Sequence, residues 1–207
     1  MPSPAPLLVA WALLVACGGG EVERAAAEHP RTVAKLPQPG AILLVVLDGA
    51  RVDHLGVYGH AHEPMPRLAD LASRAFVFED ALTASTGTNA ALAALFSGLL
   101  PVEHGLGSLH EVGRERLRGS VTTLAEHLAG AGWHTLAVTA LPQLAADFSG
   151  LAQGFQTYVE APLFGERELS AQEVYFRAQR ALEPILAESD PFFACLHFAD
   201  ARSRSRP

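Results

Sequence analysis

The stretch AILLVVLDG, residues 41–49, decides the fold class of this chain. Its first seven residues form a continuous apolar run that includes several β-branched side chains. Such a run predicts a strand buried on both faces, as in a parallel sheet. Asp48 and Gly49 end it with turn residues. Ligands of parallel sheets bind beyond the carboxyl ends of the strands, so Asp48 stands where a binding site is expected.

Helical and strand patterns alternate along the rest of the chain. Helical spacing of apolar residues predicts helices over Met65–Ala75 and Asn89–Ser97. Capping boxes at 123–126 and 170–173 mark two more helix starts, and Pro184 should kink or end the second of these helices. Further strands are predicted at Phe76–Phe78, Trp133–Thr139 and Phe192–Phe198. The alternation predicts an α/β sandwich with a mostly parallel central sheet.

Composition bounds the size and the class of the protein. The chain has 207 residues, of which 49% are hydrophobic and 18% charged, enough for one α/β domain or part of a larger one. Its net charge of −7 disfavours nucleic acid as a partner. The two cysteines, Cys17 and Cys195, lie in different contexts, which gives no sign of a disulfide framework. Cys195 is expected to be a buried core residue.

The N-terminus is predicted to be a targeting segment. The apolar run at 6–16 is too short to span a bilayer and suits a secretory signal. It ends in Leu-Val-Ala-Cys17, which resembles a bacterial lipobox, so residues 1–17 predict export and a lipid anchor on Cys17 in the cell envelope, in the periplasm or at the outer membrane. The leader has no Lys or Arg, which leaves a plain cleaved signal or a wrongly assigned start as alternatives. Residues 18–39 are expected to be a flexible tether, followed by a domain over 40–200 and an irregular tail over 201–207.

Two residues could carry chemistry by position alone. Asp48 could be a metal ligand at the edge of the sheet or the ordinary aspartate of an Asp-Gly turn. Thr88 precedes a predicted helix, where its hydroxyl could be an N-cap. It could instead be a nucleophile, since a helix N-terminus favours phosphate or sulfate and a nearby metal ion would stabilise the alkoxide. The residue pattern alone leaves both alternatives open.

Several segments are similar to the N-terminal domain of sulfatases, in the alkaline phosphatase and sulfatase superfamily. The similarity covers residues 41–200, and its main segments are RVDHLGVYG (51–59), SGLLP (97–101), HG (104–105), GF (154–155) and PFFACLHFAD (191–200). It implies an alkaline-phosphatase-like sandwich and a metal-dependent hydrolase of sulfate or phosphate esters. Asp48 would bind the metal, which could be calcium, zinc or manganese. Thr88, ten positions before Gly98, would be the nucleophile and would also contact the metal, and the substrate would be a small-molecule or glycan ester.

The sequence departs from the sulfatase pattern at several positions. Formylglycine sulfatases carry Cys or Ser at the nucleophile, whereas Thr is found in the phosphodiesterase and phosphoglycerol-transferase branches, so Thr88 favours phosphate esters. Ala90 and Leu92 replace a Pro and an Arg or His, and Gly49 replaces a second carboxylate. The Pro-His that usually follows Asp200 is Ala201-Arg202 here.

The family's remaining metal ligands would come from beyond position 200. We therefore expect a truncated or frameshifted product, or a fragment, whose sheet exposes an apolar edge and face and whose solubility is poor. The alternative function is an inactive envelope lipoprotein, kept as a binding module or remnant. The nine histidines include no H-x-x-x-H pair, and most are expected at the surface or with satisfied partners.

Overall fold

Four parallel strands form the sheet of the computed structural model, which describes residues 40–62, 65–107, 116–163, 167–188 and 190–202. The strands are β1 (Ala41–Leu47), β2 (His134–Thr139), β3 (Thr157–Val159) and β4 (Phe192–Phe198). Their order across the sheet is β1-β4-β2-β3, and all three pairings are parallel. The predicted α/β fold with a parallel sheet is confirmed.

Six α-helices accompany the sheet in the described residues. They are α1 (Pro66–Ala72), α2 (Thr88–Ser97), α3 (Pro101–His104), α4 (Leu124–Gly130), α5 (Ala146–Ser149) and α6 (Ala171–Glu188). Both predicted capping boxes form: the Glu126 N–H donates to Thr123 Oγ1 at 3.2 Å, and the Ser170 N–H donates to Glu173 Oε2 at 2.9 Å. The prediction that Pro184 could end its helix is wrong. α6 continues to Glu188 because Ile185, just beyond the proline, is buried against the sheet.

One predicted strand is absent and one strand was not predicted. Phe76–Phe78 lies in the connection between α1 and α2, and Phe76 is 98% exposed. It forms no strand because no described strand lies beside it to complete a ladder. β3 pairs with β2 through Leu136↔Thr157 to Val138↔Val159. Three residues are too few to show a periodic signal, which explains why the sequence did not reveal β3.

The RVDHLGVYG segment forms turns at the surface after β1. Two 3-10 turns, Val52–His54 and Gly56–Tyr58, contain no buried residue. Arg51 donates two hydrogen bonds to Asp53, at 2.9 and 2.6 Å, and the Tyr58 hydroxyl donates to Phe78 O at 3.1 Å. The segment therefore organises a loop, and its charged residues pair with each other.

Helices cover both faces of the sheet centre. α6 packs on β2 and β4, where Ile185 contacts Leu136 and Ala194. On the other face α4 packs on β2 and contacts α2, and Ala93 and Cys195 share that core. Cys195 is 2% exposed, as predicted, and burial raises the pKa of its thiol to about 12.

The prediction that β1 is buried on both faces is wrong. Leu44 and Val46 pack against the core, but Ile42, Leu43 and Val45 are 38%, 56% and 47% exposed. β1 lies at the edge of the sheet, and α6 covers β2 and β4 instead. The expected apolar edge and face are therefore present at β1.

Residues 1–39 lie outside the described residues, so the predicted leader, Cys17 and the tether have no structural account, and neither does the tail beyond Arg202. Among the described helices, none has the length and apolar character that a bilayer span requires.

We expect the exposed face of β1 to drive self-association, because contiguous apolar surface on an edge strand promotes pairing with other chains. In a Cys17→Ala background, which removes the predicted lipid, the chain should form oligomers at micromolar concentration. Replacing both Leu43 and Val45 with Thr keeps β-propensity and should shift the chain towards monomer, as measured by size exclusion with light scattering. The control Leu186→Gln changes an apolar residue of α6 that is 59% exposed and should have no effect. A monomeric starting protein would contradict the expectation.

Candidate active site

Asp48 and Thr88, the two residues singled out from the sequence, meet at the carboxyl edge of the sheet. The Asp48 N–H donates to Phe198 O at 2.8 Å, which extends the β1–β4 ladder by one bond. Thr88 is the first residue of α2. Its hydroxyl donates to Asp48 Oδ2 at 2.9 Å, across 40 positions of sequence. The Asp48 side chain is 18% exposed, so the pair is sheltered but open to a ligand.

Thr88 is not the N-cap of α2, so that alternative for its hydroxyl is wrong. Gly87 occupies the cap position, with φ −89° and ψ 130° and no side-chain cap bond. The Gly87 N–H instead donates to Ser85 Oγ at 3.1 Å. The Thr88 hydroxyl is free to turn towards the sheet, beside the partial positive charge of a helix N-terminus.

The core holds α2 in place. Its buried residues are Ala90, Leu92, Ala93 and Phe96, and Asn89 Nδ2 donates to Gln143 O at 3.1 Å near the start of the helix. Ala90 and Leu92, which replace the family's Pro and Arg or His, are 3% and 5% exposed. Because these positions are buried and apolar, they bring no charge to Thr88.

His197 belongs to the site and was missed by the sequence reasoning. It pairs with Val46 in the β1–β4 register and is 1% exposed. Its Nε2 lies 3.5 Å from Asp48 Oδ2, and neither ring nitrogen has a hydrogen-bond partner among the described residues. The available signal was the histidine of PFFACLHFAD, but its relevance depends on β4 lying next to β1, which the sequence did not specify.

Arg202 is the second missed residue. It lies in the turn after β4, where its N–H donates to Ala199 O at 3.0 Å. Its Nη1 is 3.6 Å from Asp48 Oδ2, and the side chain is 36% exposed. Gly49 lies directly against it: a Cβ at this glycine, whose φ is +77°, would stand 2.7 Å from Arg202 Cγ. Two departures from the sulfatase pattern, at 49 and 202, are therefore in contact.

The surroundings keep Asp48 ionised. Burial by itself raises the pKa of this carboxyl group, but contacts with His197 and Thr88 and the charge of Arg202 more than offset it, so the pKa lies below its usual value. A cavity of about 530 Å³ adjoins the pair. Asp48, Thr88 and His197 line one part of it, and the rest is mostly apolar and includes Leu82, Ala91 and Leu95.

A second group of polar side chains lies at the opposite, amino end of the sheet. His134 begins β2, and its Nε2 is 3.4 Å from both Glu188 Oε2 and Asp190 Oδ2. These three ligand atoms lie close enough together to hold a metal ion. The sequence did not suggest this group, because His134 lies more than 50 positions before Glu188 and Asp190 in the chain.

His104 is also buried, and one of its two ring nitrogens has a partner, whereas Nε2 has none among the described residues. It is 0% exposed and ends α3, where its Nδ1 accepts a hydrogen bond from the Leu106 N–H at 3.1 Å. Burial lowers the pKa of His104. The residue stabilises the turn after α3, and its ring is not among the groups that contact Asp48.

Comparison with known proteins gives concordant results. Arylsulfatase A of Bos taurus is 37% identical over 99 residues, which cover 47% of this chain and 20% of that protein. The solved phosphonate monoester hydrolase of Agrobacterium radiobacter superposes with a TM-score of 0.61 at 18% identity, covering 80% of this chain and 42% of that one. A solved protein of the alkaline phosphatase superfamily from Vibrio parahaemolyticus gives a TM-score of 0.55 at 18% identity, covering 77% and 40%.

This chain spans a fifth of the bovine relative and about two fifths of the two solved structures. At such identities the structural matches show a shared fold, the alkaline-phosphatase-like architecture. The sequence profile of the family described as Sulfatase matches residues 41–201, which include the whole sheet and both residues of the Asp48–Thr88 pair. Since that match takes in well over half of its length, the chain belongs to the sulfatase family.

Proposed function

We propose that this chain hydrolyses sulfate or phosphate esters with Thr88 as the nucleophile. The observation that carries the proposal is the 2.9 Å hydrogen bond from Thr88 Oγ1 to Asp48 Oδ2, formed at the start of α2 and at the carboxyl edge of the sheet. A hydroxyl in that position faces a carboxylate suited to a metal ion and lies beside helix N–H groups suited to an oxyanion. Membership of the sulfatase family supports the reaction class.

The donors at this edge fit a divalent metal ion, which this part of the proposal requires. Asp48 offers a carboxylate oxygen, Thr88 a hydroxyl and His197 an imidazole. Both nitrogens of the buried His197 ring lack a hydrogen-bond partner among the described residues, which is costly unless a ligand occupies one of them. An imidazole beside a carboxylate suits zinc better than calcium. When bound, the cation supplies Lewis-acid stabilisation of the Thr88 alkoxide and of the ester oxygen.

The residues of the chain perform the remaining steps. Asp48 orients the Thr88 hydroxyl, whose oxygen forms a bond to the phosphorus or sulfur atom while the bond to the alcohol oxygen breaks and the alcohol leaves with a proton. Water then attacks the Thr88 ester, releasing phosphate or sulfate and returning a proton to Oγ1. The apolar part of the adjoining cavity, which includes Leu82 and Leu95, binds the alcohol portion and excludes water.

The substrate class follows from the nucleophile and from the relatives. Threonine favours phosphate esters, whereas the names of the compared proteins include an arylsulfatase and a phosphonate monoester hydrolase. We therefore propose small-molecule or glycan esters, with phosphate esters preferred.

A second candidate function is anion binding without turnover. The observation in its favour is the contact between Arg202 and Asp48, with Nη1 at 3.6 Å from Oδ2, because a guanidinium there competes with a metal ion for the same carboxylate. The apolar Leu92, in place of a cation, disfavours turnover, because it removes a charge that would contact the substrate or the nucleophile. Turnover measurements separate the two functions.

The Thr88→Ala variant should lower turnover of a p-nitrophenyl phosphodiester, monoester or sulfate by about 1000-fold or more, because removal of a nucleophile leaves only binding contributions. Thr88→Ser keeps the hydroxyl and should retain part of the rate. The matched control is Thr122→Ala, an exposed threonine just before α4, which should behave like the parent. Equal rates in the Thr88→Ala variant and the parent would rule out Thr88 as the nucleophile.

Metal content provides a separate test of Asp48. After dialysis against zinc or manganese, elemental analysis should find about one ion per chain, lost in Asp48→Asn because the amide carries no charge. The measurement is made in a His134→Ala background, which removes a ligand of the second group, and Asp147→Asn, at an exposed position, is the control. Retention of the ion in Asp48→Asn would place it elsewhere.

We also propose that the chain is exported and anchored to the bacterial envelope through a lipid on Cys17. The support is the apolar leader that ends in Leu-Val-Ala-Cys. Metabolic labelling with a fatty acid should mark the parent chain in bacteria but not Cys17→Ala, and the variant should leave the membrane fraction. The control is Cys195→Ala, which should remain labelled. Label that persists without Cys17 would refute the anchor.

A further inference from the structure

The Arg202 guanidinium has binding capacity that the described residues do not use. Its Nη1 is buried yet has no hydrogen-bond partner among them. The nearest acceptor, Asp48 Oδ2, lies at 3.6 Å, which is too far for a hydrogen bond, and already accepts from Thr88. A guanidinium has five N–H donors in a planar fork that matches phosphate and carboxylate oxygens. The side chain as a whole is 36% exposed, so other parts of it can meet a ligand although Nη1 itself is buried.

Gly49 makes room for this side chain. Any Cβ at position 49 would lie 2.7 Å from Arg202 Cγ, which is closer than nonbonded carbon atoms tolerate, and 3.2 Å from its Cα, which is a tight contact. A carboxylate at 49, which the sulfatase pattern often has, is therefore incompatible with Arg202 in its present place. Relative to that pattern, the edge has lost a negative charge at 49 and holds a fixed positive charge at 202.

That positive charge matters because the cavity walls themselves supply none. The residues that line the cavity beside Asp48 and Thr88 include neither Lys nor Arg, and Leu92 replaces the cation on α2. Other polar groups near the cavity include Thr83, the N–H groups at the start of α2 and the His197 ring, whose nitrogens make no hydrogen bond among the described residues. Arg202 lies just outside the lining, but its Nη1 and Thr88 Oγ1 approach the same Asp48 oxygen, at 3.6 and 2.9 Å, so Arg202 is the charged donor next to Thr88.

We propose that Arg202 binds the tetrahedral oxyanion of the ester, with two guanidinium N–H groups on two of its oxygens, and that this contact forms without a metal ion. The inference rests on the proposed function in one respect, namely that the edge at Thr88 receives a phosphate or sulfate group. Asp48 then holds the guanidinium in place by its charge, and Gly49 keeps the approach open.

Binding of inorganic phosphate, and in a separate arm inorganic sulfate, tests this proposal. The full chain is titrated by calorimetry in the presence of EDTA, so that no divalent ion contributes. Arg202→Gln should raise the Kd by about tenfold or more, because the charge-assisted bidentate contact is lost. Arg202→Lys should be intermediate, since an ammonium keeps the charge but not the fork. Arg180→Gln, at an exposed position of α6, is the matched control and should match the parent.

Gly49→Ala provides a second variant that leaves Arg202 in the sequence. Its methyl group should displace the Arg202 side chain and weaken anion binding in the same direction, with far-UV circular dichroism verifying the fold. Equal Kd values in the parent and Arg202→Gln would overturn the proposal. Binding that disappears in EDTA whatever residue stands at 202 would also overturn it, and would leave a metal-dependent hydrolase intact.

Ester turnover tests the proposed function separately from anion binding. Arg202-dependent binding together with no ester turnover would support the anion site and reject hydrolysis by Thr88. Arg202-independent binding together with turnover that Thr88→Ala abolishes would do the reverse.

Discussion

The parallel pairing of β1 with β4 is the constraint on which the candidate site depends. Its register places Val46 opposite His197 and Leu47 opposite Phe198, so both strands end at the same level. Asp48 leaves one strand, and the turn that carries Arg202 leaves the other. Without this register, a carboxylate, an imidazole and a guanidinium separated by about 150 positions of sequence would not meet. α2 then needs only one hydrogen bond, from Thr88 to Asp48, to complete the group.

Residue patterns predicted the individual helices and strands better than they predicted which elements pack against one another. The apolar run of β1, the capping boxes at Thr123 and Ser170 and the alternation of helices and strands all report local physics, and the structure contains them. The burial of β1 was mispredicted because an apolar run states what a strand could bury and not whether a helix covers it. Phe76–Phe78 shows the same limit, since three apolar residues form a strand only when another strand lies alongside.

The same distinction between local signals and tertiary contacts applies to the residues of the candidate site. Asp48 and Thr88 were found because each has a local signal, a strand end and a helix start, reinforced by the sulfatase motifs. His197 and Arg202 were not singled out, because their importance arises from strand order and from the contact of Gly49 with Arg202. Positions 49 and 202 both depart from the sulfatase pattern. The structure shows that the two departures are linked, because the absence of a side chain at Gly49 leaves room for Arg202.

Cys195 has a consequence of another kind. Its thiol lies 2% exposed in the centre of the sheet, between β1 and β2, and burial holds its pKa at about 12. Thiolate is the reactive form of cysteine, so the Cys195 thiol is protected from oxidants and from disulfide exchange while the domain stays folded. Reaction at this position requires the strands to separate. The rate at which a thiol reagent modifies Cys195 would therefore report how often the sheet opens.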